Sequence, residues 1–154
     1  MSTPCHIWVK VKKESIGKSI KPLKNKLHKT CKWDKPLINI TELKNNYIGI
    51  YVHWDGHIES VGKTLTQHYN DYDKILNLIS CGDCTEILNR VLPYTAISNR
   101  IWECNKPRQI TRKPTYQSYY TYLFDNGKWY VKTSSKGKWL NLEEKIIEIE
   151  NSIY

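Results

Sequence analysis

The 154-residue sequence has one Phe, one Met and no apolar run near the roughly 18 residues of a membrane-spanning helix. Its start, MSTPCHIWVKVKK, lacks the apolar stretch of a secretion signal. Five cysteines, an odd number, favour free thiols in a reducing compartment. We therefore expect a cytoplasmic protein that does not associate with membranes.

Internal repeats and Gly/Ser-rich linkers are also missing, and the length suits one domain. A hydrophobic fraction of 40% argues against wholesale disorder. The aromatic residues are mostly 6 Trp and 11 Tyr, which suit both half-buried walls and binding surfaces.

The net charge of +9 is concentrated in the N-terminal third. Residues 1–46 contain eleven Lys and no Arg against three acidic residues, a net of +8, which leaves +1 for the remainder. Such a segment attracts phosphate-rich partners through a salt-sensitive field, although a solvated Lys-coated surface explains the same pattern.

The first half of the chain shows strand and helix patterns. Alternation over residues 5–12 predicts a half-buried strand, and YIGIYVHW at 47–54 predicts a strand followed by an Asp55-Gly56 turn. After it, TLTQHYNDYDKILNLIS predicts a helix that splits where Asp71 caps a second segment. Its apolar face comprises Leu65, Tyr69, Tyr72, Leu76 and Ile79.

The second half predicts two further helices and a hairpin. Asp83 precedes Glu86 by three residues, a capping-box spacing that predicts a helix over CTEILNRV. The aromatic segment 116–133 predicts a hairpin that turns at Asp125-Asn126-Gly127. Over 141–153 a helix capped by Asn141, with Glu144 three residues on, would bury Leu142, Ile146, Ile149 and Ile153.

These patterns predict one α+β domain over 1–154, a mainly antiparallel sheet with helices on one face. Its parts are an irregular basic excursion at 13–45 with a short strand near PLINI, a strand-turn-helix motif at 47–90, a mainly irregular 94–115, the hairpin and the C-terminal helix.

The stretch HWDGHIESVGKT resembles a phosphate-binding loop only superficially. Five residues separate Gly56 from Gly62 where a P-loop has four, and Glu59 would face the phosphates. A helix N-terminus beside Lys63 and Thr64 still offers an anion site.

Four residues at the strand end, His53, Trp54, Asp55 and His57, are suited to contact a nucleobase. The alternative is that Trp54 belongs to the core and both histidines are surface residues. Three cations of the loop are candidates to complete the pocket, either within one chain or across a homo-oligomer: Arg100, Arg108 and Arg112.

The segments IYVHWDGH, VGKTLTQHYND and KILNLISCGD resemble small, largely uncharacterised proteins of tailed phages and prophages. That family combines an I-Y-x-H-W-D-G-Y strand and turn with a leucine-rich helix ending in L-G-D, and YLFDNGKWYV is similar to its closing hairpin. The likeness covers about a third of the chain, and His57 replaces the usual Tyr. The resemblance implies a phage-encoded protein acting in the host bacterial cytoplasm.

Other chemistries have weaker signatures. Cys81 and Cys84 form a CxxC without a second paired motif, so neither a metal nor a cofactor is expected. Hydrolysis would need acid and base groups that converge, drawn from His53, Asp55, His57, Glu59 and His68. Direct nucleic-acid binding would use the basic excursion, the loop arginines and rings of the hairpin: Tyr119, Tyr120, Tyr122 and Trp129.

The leading hypothesis is a counter-defence protein that sequesters a nucleotide-derived signal, either a cyclic oligonucleotide or an ADP-ribose derivative, without turnover. One alternative is a nucleic-acid or protein-interaction module that uses the basic N-terminal region. The other is a small phosphodiesterase acting on such signals.

Overall fold

The computed structural model describes residues 3–11, 19–20, 38–39, 47–80, 84–88, 92–93, 109–111, 119–134 and 136–152. Within these ranges the strands are β1 (Cys5–Lys10), β2 (Ser19–Ile20), β3 (Ile38–Asn39), β4 (Tyr47–Val52), β5 (Cys84–Glu86), β6 (Leu92–Pro93), β7 (Gln109–Thr111), β8 (Tyr120–Asp125), β9 (Lys128–Lys132) and β10 (Leu140–Asn141). The helices are α1 (Lys63–His68), α2 (Tyr72–Ser80) and α3 (Leu142–Ser152), and a π-helical turn, Ile58–Gly62, leads directly into α1.

The main sheet is mixed but mostly antiparallel. Its strand order is β10-β9-β8-β1-β4-β5-β6, and β7 also pairs with β4. The β1–β8 and β4–β5 pairs are parallel, whereas the other described pairs are antiparallel. The predicted α+β class with a mainly antiparallel sheet is therefore confirmed.

Strand β1 is the centre of the sheet, which corrects the expectation of a half-buried strand. It pairs with β4 on one side and β8 on the other, and its residues are buried from Cys5 to Val9. Cys5, Ile7 and Val9 belong to the main hydrophobic core, while His6 and Trp8 alternate onto the opposite face. Burial also raises the pKa of the Cys5 thiol, because the thiolate is poorly solvated there.

The predicted break in the central helical region is confirmed. Helix α1 ends at His68 and α2 begins at Tyr72, and the backbone N–H of Asp73 donates to Asp71 Oδ1 at 2.9 Å. The indole N–H of Trp129 donates to the Tyr69 carbonyl at 2.9 Å. The hairpin is thereby tied to the end of α1.

The helix predicted over CTEILNRV is wrong, because residues Cys84–Glu86 form strand β5. Cys84 pairs with Val52 of β4, and its carbonyl accepts the backbone N–H of His53 at 3.0 Å. The connection from β4 through α1 and α2 to a parallel neighbour is a crossover unit. Sheet pairing between distant segments overrides the local capping pattern here, and Asp83 lies outside the described residues.

The predicted hairpin and C-terminal helix are confirmed. Asn126 and Gly127 both have positive φ, 51° and 80°, as the two-residue turn between β8 and β9 requires. The backbone N–H of Glu144 donates to Asn141 Oδ1 at 3.0 Å, which caps α3. In the predicted apolar stripe of this helix, Leu142 is buried, and Ile146 and Ile149 are partly buried against the core. Ile153 lies outside the described residues.

Only short pieces of the basic excursion belong to the described residues. Ser19–Ile20 and Ile38–Asn39 pair as antiparallel strands, which confirms the short strand expected near PLINI. The remainder of 13–45 and the predicted cations Arg100, Arg108 and Arg112 lie outside the described residues.

We expect Gly49→Ala to destabilise the fold by about 1–3 kcal/mol, the usual cost of overpacking a core. A Cβ at Gly49 would lie 2.5 Å from Trp8 Cε3, so the buried indole would have to move. Chemical denaturation measures the free energy of unfolding. The Trp8→Leu background serves as the control, since the cost of Gly49→Ala should shrink once the ring is gone. Equal costs in both backgrounds would contradict this packing explanation.

Candidate functional site

The Asp55-Gly56 turn is held tightly against two other segments. The backbone N–H of Gly56 donates to the Thr3 carbonyl at 2.7 Å, and its carbonyl accepts the Tyr122 hydroxyl at 2.6 Å. A Cβ on Gly56 would lie 2.6 Å from Thr3 O and 2.8 Å from Cys5 Cβ. Glycine is thus required by close approach, whereas Asp55 takes the positive φ of the turn, 60°.

The helical segment after this turn begins at Ile58, whereas the sequence pattern predicts a helix start beside Lys63. The backbone N–H groups of Ser60 and Gly62 donate to the His57 carbonyl at 3.0 and 3.3 Å. The N–H of Lys63 donates to the carbonyls of Ile58 and Ser60. The backbone N–H groups of Gly62 and Lys63 are therefore already bonded within the helical turn, and the start of the helical segment lies at Ile58 and not beside Lys63.

The side chains of Lys63 and Thr64 are also engaged elsewhere. Lys63 Nζ forms an ion pair with Glu150 Oε1 of α3 at 2.8 Å. Thr64 is buried, and its hydroxyl donates to the Ser60 carbonyl at 3.1 Å. The Lys63 ion pair thus joins α1 to α3, and the Thr64 hydrogen bond joins α1 to the π-helical turn.

His53 and His57 lie on opposite sides of the sheet. The side chains of Ile50 and Val52 face the helices, so Tyr51 faces away from them, and its hydroxyl lies 2.6 Å from His53 Nδ1. On the helix side, His57 meets the Tyr120 ring edge-on with ring centroids 5.6 Å apart. The two imidazoles therefore do not share one pocket.

Trp54 and Asp55 are surface residues of the turn. Trp54 is 38% exposed, and its ring centroid lies 6.1 Å from that of His53. Asp55 is exposed as well. Trp54 is thus a surface residue and not a core residue. It lies beside His53, just after the end of β4.

A cavity of about 570 Å³ opens on the helix side, beside His57. Its volume falls within the usual range for small-molecule sites, roughly 300–1,000 Å³. Four segments of the chain contribute its lining, which consists of Thr3, His57, Ile58, Glu59, Tyr119, Tyr120, Thr133, Lys145 and Ile149. We call this the His57 cavity.

Three rings and two opposite charges characterise the His57 cavity. Tyr119 is 68% exposed at its rim, and Tyr120 and His57 form the edge-on pair. Lys145 of α3 and Glu59 of the π-helical turn both line the cavity, and Lys145 Nζ also forms an ion pair with Glu148 Oε1 at 3.3 Å. The cavity can therefore offer stacking faces, one cation and one carboxylate acceptor.

Burial governs the Tyr122 hydroxyl that bonds to the Gly56 carbonyl. The pKa of Tyr122 is raised by burial first, and then by the neighbouring Cys5, Tyr120 and Glu59. Tyr122 therefore stays a neutral donor to the Gly56 carbonyl. The hydrogen bond from the Tyr122 hydroxyl to the Gly56 carbonyl, next to His57 in the chain, is therefore insensitive to pH over the ordinary range.

Of the predicted ligand-binding residues that the structure describes, the cavity lining includes only His57. The aromatic density of the hairpin relates Tyr119 and Tyr120 to the nucleic-acid hypothesis and not to the predicted pocket. Lys145 was missed, although the capped helix pattern placed its segment correctly. The sequence pattern presents Glu59 as an obstacle to phosphate and as a candidate acid or base for hydrolysis, but not as a ligand-binding residue.

Comparisons with family models, curated proteins and solved structures found no match to this chain. No helix among the described residues is long and apolar enough to cross a membrane. In the same part of the chain, no three His, Cys, Asp or Glu side chains gather where they could hold a metal ion.

The face of the sheet opposite the cavity carries a row of polar side chains, of which His6 and Thr121 are buried. His6 pairs in register with Tyr51 on β4 and with Thr121 on β8, and its ring centroid lies 5.4 Å from that of Tyr51. His6 is 6% exposed, and burial lowers its pKa to about 4. The folded protein therefore keeps this imidazole neutral at pH values where the unfolded chain binds a proton.

We expect the free energy of unfolding to fall as the pH drops from about 6.5 to about 4, with His6 contributing at most about 3 kcal/mol. Over that interval the unfolded state binds the His6 proton and the folded state does not. Denaturant titrations at several pH values measure the slope. His6→Gln should flatten it, and an unchanged slope in that variant would show that other groups dominate.

Proposed function

We propose that this protein binds a nucleotide-derived small molecule in the His57 cavity and sequesters it without turnover. In this proposal it is a phage-encoded accessory protein that acts in the host bacterial cytoplasm against a signalling defence. The phage origin rests on the resemblance of IYVHWDGH and its following segments to small phage and prophage proteins.

The observation that carries the proposal is the combination of rings and a cation in one cavity. A nucleobase stacks on exposed aromatic faces, which typically contribute about 1–3 kcal/mol per base. Tyr119 at the rim and the Tyr120–His57 pair supply such faces, and Lys145 supplies the charge for a phosphate. Ile58 and Ile149 complete an apolar wall of the kind that orients ligands in small-molecule sites.

The positions of the histidines favour binding over hydrolysis. A phosphodiesterase working by acid and base groups needs both within reach of the same phosphate. His53 and His57 contact different partners on opposite sides of the sheet, so they cannot act together on one bound molecule. A single imidazole and a single carboxylate of the described lining suffice for recognition.

The direct test incubates the protein with cyclic di-AMP, a cyclic trinucleotide and ADP-ribose, removes the protein by filtration, and quantifies what remains. Heat denaturation of the retained protein then releases the bound fraction for chromatography. The proposal expects depletion of at least one probe and its recovery unaltered. A chemically altered product would show turnover, and absence of depletion for every probe would contradict the proposal.

We expect Tyr119→Ala to weaken capture of the bound probe by about 5- to 150-fold, the equivalent of one lost stacking face. Tyr119→Phe keeps the ring and should stay near the wild-type affinity. Because Tyr119 is 68% exposed, neither change should alter the unfolding midpoint. Isothermal titration calorimetry measures the affinity.

Trp54→Ala is the matched control, since this exposed ring lies outside the cavity lining. Lys63→Ala is a second control, because the structure places Lys63 against Glu150 and not in the cavity. An equal loss in Tyr119→Ala and Trp54→Ala would argue against the His57 cavity as the binding site.

A further inference from the structure

The His57 cavity contains a carboxylate that stacking and phosphate binding do not use. Glu59 is exposed in the first turn of the π-helical segment and lines the cavity together with Lys145. Glu148, the carboxylate near Lys145 Nζ, does not belong to that lining. The Asp, Glu, Lys and Arg side chains of the described lining are one of each sign, Glu59 and Lys145.

A carboxylate in a nucleotide site selects a particular part of the ligand. An ionised carboxylate only accepts hydrogen bonds, and its two oxygens can accept from two neighbouring hydroxyls. It repels phosphate by charge, so the group it faces has to be a donor. In dinucleotide-binding sites an acidic side chain takes up the ribose hydroxyl in this way.

We infer, on the basis of the proposed function, that the His57 cavity selects ligands with a free vicinal ribose diol, the ADP-ribose class, over cyclic oligonucleotides. In this arrangement the rings hold the base, Lys145 meets the phosphates and Glu59 accepts from both ribose hydroxyls. A cyclic oligonucleotide esterifies one of the two hydroxyls on each ribose, which leaves Glu59 with a single donor and places a phosphodiester beside its charge.

Glu59 and Lys145 belong to two different helical elements that pack against each other. Glu59 belongs to the turn anchored by Gly56, and Lys145 belongs to α3, whose Leu142 packs beside Gly62. Changing one charge therefore leaves the backbone support of the other intact. Glu59 and Lys145 can be tested independently because neither is buried.

The test measures affinities of the full-length protein for ADP-ribose, cyclic di-AMP, AMP and 3′-deoxy-AMP by calorimetry. The inference expects ADP-ribose to bind at least about tenfold more tightly than cyclic di-AMP, and AMP about tenfold more tightly than its 3′-deoxy analogue, since hydrogen bonds to a charged group are the stronger kind. In Glu59→Gln the preference for AMP over 3′-deoxy-AMP should fall to within about twofold to threefold.

Two further variants separate the roles. Lys145→Gln should weaken every phosphate-bearing probe while preserving the ratio between AMP and 3′-deoxy-AMP. Glu143→Gln changes an exposed carboxylate of α3 outside the cavity lining and should leave all affinities unchanged.

The outcomes distinguish this inference from the proposed function. Cyclic di-AMP binding as tightly as ADP-ribose, or a diol preference that survives Glu59→Gln, would overturn the inference and leave nucleotide sequestration standing. If none of the four probes nor a cyclic trinucleotide binds, both are overturned.

Discussion

The arrangement of the molecule depends on the backbone of Gly56, which is fixed from both sides. Its N–H reaches the Thr3 carbonyl beside β1, and its carbonyl accepts the buried Tyr122 hydroxyl from β8. The space between these contacts has no room for a Cβ. Because the π-helical turn begins two residues later, these two hydrogen bonds of Gly56 determine where His57 and Glu59 lie relative to β8 and α3.

The hydrogen bond to Gly56 also explains why a buried tyrosine is favourable at position 122. Tyr122 lies inside the core, where an unpaired hydroxyl would cost roughly 1–3 kcal/mol. Its bond to the Gly56 carbonyl satisfies both groups at once and joins residues 66 positions apart in the chain. Local turn chemistry alone would have left the Asp55-Gly56 turn free to take several orientations.

Patterns that depend on neighbouring residues predicted the fold well. The Asn126-Gly127 turn, the Asn141 cap and the Asp71 cap each use contacts within three residues, and all three are present. Strand β5 was missed because its evidence is a pairing with β4, more than thirty residues earlier in the chain. The same limit applies to β1, whose burial on both faces depends on partners that alternation cannot reveal.

The candidate site is harder to predict than the fold, because residues that are close in sequence need not be close in space. His53 continues the alternation of β4 on the Tyr51 face, and the turn at Asp55 carries His57 to the helix side. The residues that do meet His57, such as Tyr120 and Lys145, come from β8 and α3. Only pairing of β1 with both β4 and β8 brings these segments together.

The charges of the protein act at two distances. The net charge of +9 attracts any anion and raises encounter rates in a salt-sensitive way, but such a field does not distinguish one phosphorylated ligand from another. Selection has to come from short-range contacts in the His57 cavity, where Glu59 repels phosphate and Lys145 attracts it. A cavity lined by cations alone would bind polyphosphates indiscriminately, so a carboxylate beside the rings makes physical sense in a protein whose overall charge already favours anions.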